Sequence, residues 1–109
     1  MGKSKRTIAV DISKSVKDAV WERDQHRCII CGDTNAFPNA HFISRARGGL
    51  GIEENIVTLC SNFAPCKCHY KYDFGTKEEQ EELGQKIETY LKSKYPNWDR
   101  QNLIYKKGM

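Results

Sequence analysis

Residues 28–32 read Cys-Ile-Ile-Cys-Gly, and residues 60–68 read Cys-Ser-Asn-Phe-Ala-Pro-Cys-Lys-Cys. Two cysteines separated by two residues and followed by glycine can turn both sulfur atoms toward one ion, as in a zinc knuckle. A second pair from the later stretch would complete a tetrahedral site, and the ion would clamp the intervening segment against the chain that follows. The predicted ligands of this structural zinc are Cys28, Cys31 and Cys60 with either Cys66 or Cys68.

The composition favours metal ligation over other uses of cysteine. The 109-residue chain has five cysteines, 39% hydrophobic residues and a net charge of +4. An odd cysteine count with no secretory signal disfavours disulfides, and a thioredoxin-like redox pair would need a strand before Cys28, where the pattern indicates a helix. We therefore expect one small cytoplasmic domain with no membrane span. Its mild basic excess permits a polyanionic partner without requiring one.

Apolar spacing predicts a helix at about residues 14–24, with Ser15 and Asp18 as its capping pair. The first dozen residues are basic and weakly patterned, so no element is predicted there. Turn residues separate two short apolar stretches, residues 37–43 and 52–59, which we interpret as strands. Together with the helices predicted after them, these elements indicate an α+β fold.

Two helices are predicted after the cysteines. Residues 69–74 are compatible with two helical turns that end at Gly75. Thr76 with Glu79 forms a capping box that starts a second helix, and Pro96 prevents its continuation. Its apolar face consists of Leu83, Ile87, Tyr90 and Leu91.

Three stretches carry a family resemblance. Residues 40–49 read Ala-His-Phe-Ile-Ser-Arg-Ala-Arg-Gly-Gly, residues 54–60 read Glu-Asn-Ile-Val-Thr-Leu-Cys, and residues 68–73 read Cys-His-Tyr-Lys-Tyr-Asp. This order resembles the HNH endonuclease family, particularly its small phage and prophage members with four zinc-binding cysteines. The resemblance covers residues 28–73, and residues 21–24 look like the lead-in helix of the same family.

The resemblance implies a ββα-metal core over residues 28–75, within a single domain spanning 1–109. Zinc knuckles would brace this core, with the N-terminal helix before it and a C-terminal helical extension over residues 76–109. It also implies a metal-dependent endonuclease acting on DNA in a bacterial host or phage-infected cell, with phage packaging proteins as further candidate partners. Cys68 is favoured over Cys66 as the fourth zinc ligand because it directly precedes His69, where the family places that ligand.

The expected catalytic residues are His41, Asn55 and His69. His69 and Asp73 are four residues apart on one helix face, so both can bind one divalent cation, Mg²⁺, Mn²⁺ or Ni²⁺, and leave positions open for water and a phosphate. A neutral His41 can act as the general base, and the Asn55 amide can fix the loop that carries it. By resemblance, the products carry 5′-phosphate and 3′-hydroxyl groups.

Two arginines, Arg45 and Arg47, flank a glycine turn and can bind phosphates. The sequence departs from the family at Ala40, where many members have an Asp or His that binds the cation. This departure keeps a second hypothesis open, a non-catalytic, zinc-stabilised module that binds nucleic acid. Each residue also has a structural reading when taken alone: a packed histidine, a turn asparagine, a solvated ion pair or a solubilising arginine.

Overall fold

The computed structural model describes residues 2–107, so residues 1, 108 and 109, at the ends of the expected domain and of its C-terminal extension, lie outside the described range. The described residues form an α+β fold in which helices surround a two-stranded antiparallel sheet. No helix within this range is long and apolar enough to cross a membrane. The elements are α1 (Lys5–Val10), α2 (Lys14–Arg23), β1 (Ala36–His41), β2 (Ile56–Cys60), α3 (Cys68–Phe74) and α4 (Lys77–Lys94), with short 3₁₀ turns at Arg45–Arg47, Glu53–Asn55 and Arg100–Leu103.

Helix α2 lies where the sequence predicts it, but the predicted capping pair is wrong. Ser13 is the N-cap, because its backbone is extended and its hydroxyl accepts from the Val16 N–H at 3.2 Å. Ser15 is already inside the helix, and Asp18 forms an ion pair with Lys14 at 2.7 Å instead of capping. An N-cap side chain must precede the first helical turn to reach its free N–H groups, and Ser13 meets that condition.

The first dozen residues contain a helix that the sequence pattern did not predict. The Ser4 side chain caps α1 by accepting from the Thr7 N–H. The helix is only 6 residues long, too short to be stable alone, so its contacts with the rest of the fold must hold it. Arg6 provides two of them by donating to the carbonyl groups of Arg45 and Ala46 at 3.2 and 3.1 Å.

The two strands pair with His41 opposite Ile56 at one end and Ala36 opposite Cys60 at the other. The register is irregular inside β1, around Pro38, which has no N–H to donate to the ladder. Every residue of β2 is buried. The sheet therefore places His41 at the edge of a buried layer.

Both strands are shorter than the predicted residues 37–43 and 52–59. The segment before β2 forms the 3₁₀ turn Glu53–Asn55, and the chain leaves β1 after His41. After the end of β1, the Phe42 N–H still donates to the Asn55 carbonyl at 2.8 Å. The apolar stretch therefore extends beyond the paired residues of the sheet into segments that are not strand. Apolar runs report burial, and here part of that burial belongs to turns.

The helices after the cysteines match their predicted limits closely. Helix α3 ends at Gly75, where a side chain would lie 2.3 Å from the Lys71 carbonyl oxygen. The capping box of Thr76 and Glu79 is present, and α4 ends just before Tyr95 and the proline that follows it. Beyond α4 the extension turns back through a 3₁₀ turn. The buried cluster that these elements share includes Cys28, Ala36, Ala40, Phe42, Val57, Leu59, Cys60, Cys68, Ile87, Leu91 and Leu103.

Candidate functional site

Four cysteines lie together between the sheet and α3. Their sulfur atoms are all within 4.8 Å of one another, and Cys31 Sγ is 3.7 Å from Cys60 Sγ. Sulfur atoms bound tetrahedrally to zinc at about 2.3 Å are about 3.8 Å apart, so this group could hold a metal ion such as zinc. Cys66 is exposed and is not one of the four. The cluster consists of Cys28, Cys31, Cys60 and Cys68.

Local backbone geometry brings these sulfur atoms together. Gly32 has a φ of +80°, and its N–H donates to the Cys28 carbonyl at 3.0 Å, which closes the turn behind the first pair. In the second pair the Cys68 N–H donates to Cys60 Sγ at 3.0 Å. Burial raises the pKa of the Cys60 thiol to about 11. A cation that binds the cluster would therefore have to displace protons from it.

The helix that carries the predicted cation ligands begins at a residue of the cysteine cluster. Cys68 is the first residue of α3, and His69 follows it. His69 Nε2 lies 3.1 Å from Asp73 Oδ2. This is an ion-pair distance, and it brings one imidazole nitrogen and one carboxylate oxygen together on one face of α3. On the same helix, the Tyr72 hydroxyl donates to the Phe42 carbonyl at 2.5 Å, which ties α3 to the residue after His41.

His41 is held from its other side by the N-terminal helix. Its Nε2 atom lies 2.9 Å from the Val10 carbonyl oxygen. A carbonyl oxygen only accepts, so Nε2 carries the ring proton in the neutral form and Nδ1 is the basic nitrogen. Burial lowers the pKa of His41 below its ordinary 6.5; Arg45 and His69 act in the same direction, while the Val10 carbonyl and Asp73 oppose them. His41 is therefore neutral at pH 7.

Asn55 fixes the loop that follows β1. It is fully buried, and its Oδ1 accepts from the Ile43 N–H at 2.8 Å. Its Nδ2 donates to the carbonyl groups of Ile43 and Leu50 at 3.1 and 2.8 Å. These contacts join the loop after β1 to the turn that precedes β2. The side-chain hydrogen bonds of Asn55 go to Ile43 and Leu50 and do not reach the imidazole of His41, so the proposed positioning of His41 by Asn55 would pass through the backbone.

His41 lines two clefts. One, of about 660 Å³, also contains Asp73 and Arg47. The other, of about 700 Å³, also contains Arg45 and Asp11. The two arginines predicted to bind phosphates thus face different clefts. Arg45 forms an ion pair with Asp11 at 2.6 Å and stays about half exposed.

Residue 40 is an alanine, which has no side-chain atom that can bind the expected cation. It is buried and pairs with Val57 in the sheet. Within residues 2–107, the grouping of three or more potential metal ligands is the cysteine cluster alone. The donor set at α3 is thus one imidazole and one carboxylate.

The sequence reading missed the residues that hold His41 from the N-terminal side. Val10 supplies the acceptor for the imidazole, and Asp11 pairs with both Arg45 and Lys3. The one local signal was the Ser4 cap ahead of three apolar residues. Nothing local indicates that this helix docks beside a residue 31 positions later.

Comparison with protein-family models, curated proteins and solved structures finds no match to this chain. The functional argument therefore depends on the geometry above and on the residue pattern.

Proposed function

We propose that this protein is a metal-dependent DNA endonuclease that hydrolyses phosphodiester bonds and nicks or cleaves duplex DNA, with β1, β2 and α3 as a ββα-metal core. The observation that carries the proposal is that His41 and Asp73 line the same cleft of about 660 Å³. A phosphate seated there would meet a neutral imidazole and a cation-binding carboxylate together. The order of His41, Asn55 and His69, which resembles HNH endonucleases, supports the same reaction.

In this proposal the cysteine cluster holds a structural zinc ion. Its place at the first residue of α3 suits a clamp, because four protein thiolates leave no open position for a substrate. The clamp would set the position of His69 and Asp73 relative to β1. The zinc ligands would be Cys28, Cys31, Cys60 and Cys68.

His69 and Asp73 would hold the catalytic divalent cation, Mg²⁺, Mn²⁺ or Ni²⁺. When bound, such an ion polarises the phosphate and stabilises the departing 3′ oxygen. His41 Nδ1 takes a proton from a water molecule, whose oxygen bonds to phosphorus while the bond from phosphorus to the 3′ oxygen breaks. The products are a 5′-phosphate and, after the 3′ oxygen gains a proton, a 3′-hydroxyl. Asn55 keeps the His41 loop in place, and Arg45 and Arg47 contact flanking phosphates.

The test is plasmid nicking with each of the three cations, beside a reaction with no added divalent cation. His41→Ala should reduce the rate by about 10²–10⁴-fold, the usual contribution of a general base. His26→Ala is the matched control, because His26 is an exposed histidine that contacts Glu22 and Trp21 and lines neither cleft at His41. Equal nicking by wild type and His41→Ala would remove His41 from the mechanism.

Asp73→Asn tests the cation site. Asp73 is exposed and pairs only with His69 among the described residues, so the variant should keep its fold. We expect a higher cation concentration for half-maximal nicking, because one anionic ligand is lost. An unshifted cation titration would contradict the assignment.

A second function is a zinc-stabilised module that binds nucleic acid without cleaving it. The observation that favours it is the buried Ala40, which leaves two side chains at the cation site. This function predicts salt-dependent DNA binding with no nicking under any of the three cations. Nicking that disappears in His41→Ala would exclude it.

A further inference from the structure

The second cleft at His41 has a different charge from the first. It lies between α1, α2 and β1, and its cationic residues are Lys3, Lys17 and Arg45. Its one acidic residue is Asp11, which pairs with Lys3 and Arg45 at 2.6 Å each. Three positive charges against one negative charge leave this cleft with a net charge of +2.

The first cleft is electrically balanced. It contains three basic side chains and three acidic ones, so its formal net charge is zero. Two of the opposing charges neutralise each other directly, since Arg100 pairs with Glu88. The six residues are Arg47, Lys77 and Arg100 with Asp73, Glu81 and Glu88.

We propose that the second cleft, between α1, α2 and β1, holds the phosphate backbone of the DNA strand next to the phosphate that is cut. This inference rests on the proposed function, because it takes the reacting phosphate to lie at His41. His41 lines both clefts, so a strand that passes it has neighbouring phosphates on one or both sides. The side chains of the second cleft sum to a net positive charge that stabilises a polyanion on their own. Those of the first cleft cancel, so there the phosphate depends on Arg47 and on the proposed cation.

Lys17 is the residue whose charge is most available to a phosphate. It is exposed on α2, and no described side chain forms an ion pair with it. Lys3 and Arg45 both form ion pairs with Asp11. The carboxylate neutralises part of their positive charge, so each would attract a phosphate less strongly than Lys17 does. Lys17 therefore becomes a nucleic-acid contact contributed by a helix outside the ββα unit.

The test is the salt dependence of binding to a short fluorescein-labelled DNA duplex, followed by anisotropy with no divalent cation added. The plot of log K against log salt has a negative slope, and Lys17→Ala should make it less steep by about 0.9, the value for one lost phosphate contact. That slope corresponds to about an eightfold weaker Kd at 0.1 M salt. Lys86→Ala is the matched control, because Lys86 is an exposed helical lysine that lines neither cleft and pairs at the surface with Glu82.

The outcomes separate this inference from the proposed function. A reduced slope for Lys17→Ala and an unchanged slope for Lys86→Ala support it. Equal slopes for wild type and both variants, with wild-type binding intact, overturn it and leave the nuclease proposal standing. No binding by the wild-type protein at low salt overturns both. Lys17→Glu, with a larger loss expected at the same position, confirms that charge is responsible.

Discussion

His69 and Asp73 lie on a helix whose first residue belongs to the cysteine cluster, whereas His41 is held by the Val10 carbonyl and by a loop tied to Asn55. The first half of the site is positioned through sulfur atoms that converge on one point. The second half is positioned through hydrogen bonds between segments far apart in the chain.

The two halves should therefore fail under different perturbations. In the proposed function a zinc ion orders the four clustered thiols, and a small core would make that contribution large. The hydrogen bonds around His41 need no cation, and their strength comes from burial of the groups they satisfy. The Tyr72 hydroxyl, which donates to the Phe42 carbonyl, is a direct link between the halves.

The largest effect is expected at the cysteine cluster. Cys68→Ser should lose zinc and cooperative thermal unfolding together, because structural zinc contributes roughly 10–16 kcal/mol in zinc-finger peptides at pH 7. Cys66→Ser is the matched control, since this exposed cysteine lies outside the group of four. The measurements are zinc content by elemental analysis and thermal unfolding by circular dichroism.

A different outcome would reassign the ligands. If Cys66→Ser lost zinc while Cys68→Ser kept one ion per chain and an unchanged Tm, the fourth ligand would be Cys66. If the wild-type protein and both variants contained no zinc and had the same Tm, the cluster would be a group of packed thiols.

A smaller effect is expected on the hydrogen-bonded side. Asn55→Ala leaves the Ile43 N–H and the carbonyl groups of Ile43 and Leu50 without their partner in a buried region. We expect the free energy of unfolding to fall by about 2–4 kcal/mol, measured by urea titration. Zinc content should stay the same, which separates this side from the cysteine cluster.

Asn62→Ala is the control for that loss, because Asn62 is exposed in the loop before α3. It should change the free energy of unfolding by less than about 0.5 kcal/mol, as surface substitutions usually do. Equal losses in the two variants would show that the Asn55 hydrogen bonds carry no special weight.

Sequence reasoning was most successful where the signal is local. The capping box of Thr76 and Glu79 and the end of α3 at Gly75 involve residues within one turn of each other, and both are present. The cysteine spacing likewise predicted the cluster, and the choice of Cys68 agrees with the group of four.

The misses come from contacts between distant segments. Helix α1 is too short to show a periodic pattern. It is held by Arg6, whose side chain donates to two carbonyl groups in the loop that follows β1. The cap of α2 was placed two residues late, because Ser13 and Ser15 are both good N-cap residues and only backbone geometry separates them. No pattern within one segment encodes that Val10 would meet His41.

The smallest expected effect concerns which ring nitrogen of His41 carries the proton. Because the Val10 carbonyl accepts from Nε2, neutral His41 should carry its proton on Nε2, and its ¹⁵N resonances should show an unprotonated Nδ1. Burial lowers the pKa of His41, so its titration midpoint should fall below 6.5. Protonation then opposes the folded state, and the stability that neutral His41 contributes is lost as the pH falls through that folded pKa.

His41→Gln assigns these resonances, because it removes them while keeping a side chain that can donate to Val10. A midpoint above 6.5 would mean that the ring is less buried than in the structure, whereas a proton on Nδ1 would mean that α1 does not hold the imidazole in solution. In that case the basic nitrogen assigned to the reaction would also change. The N-terminal helix would then be a neighbour of the site without orienting its base, and its role would be reduced to the charge it brings to the second cleft.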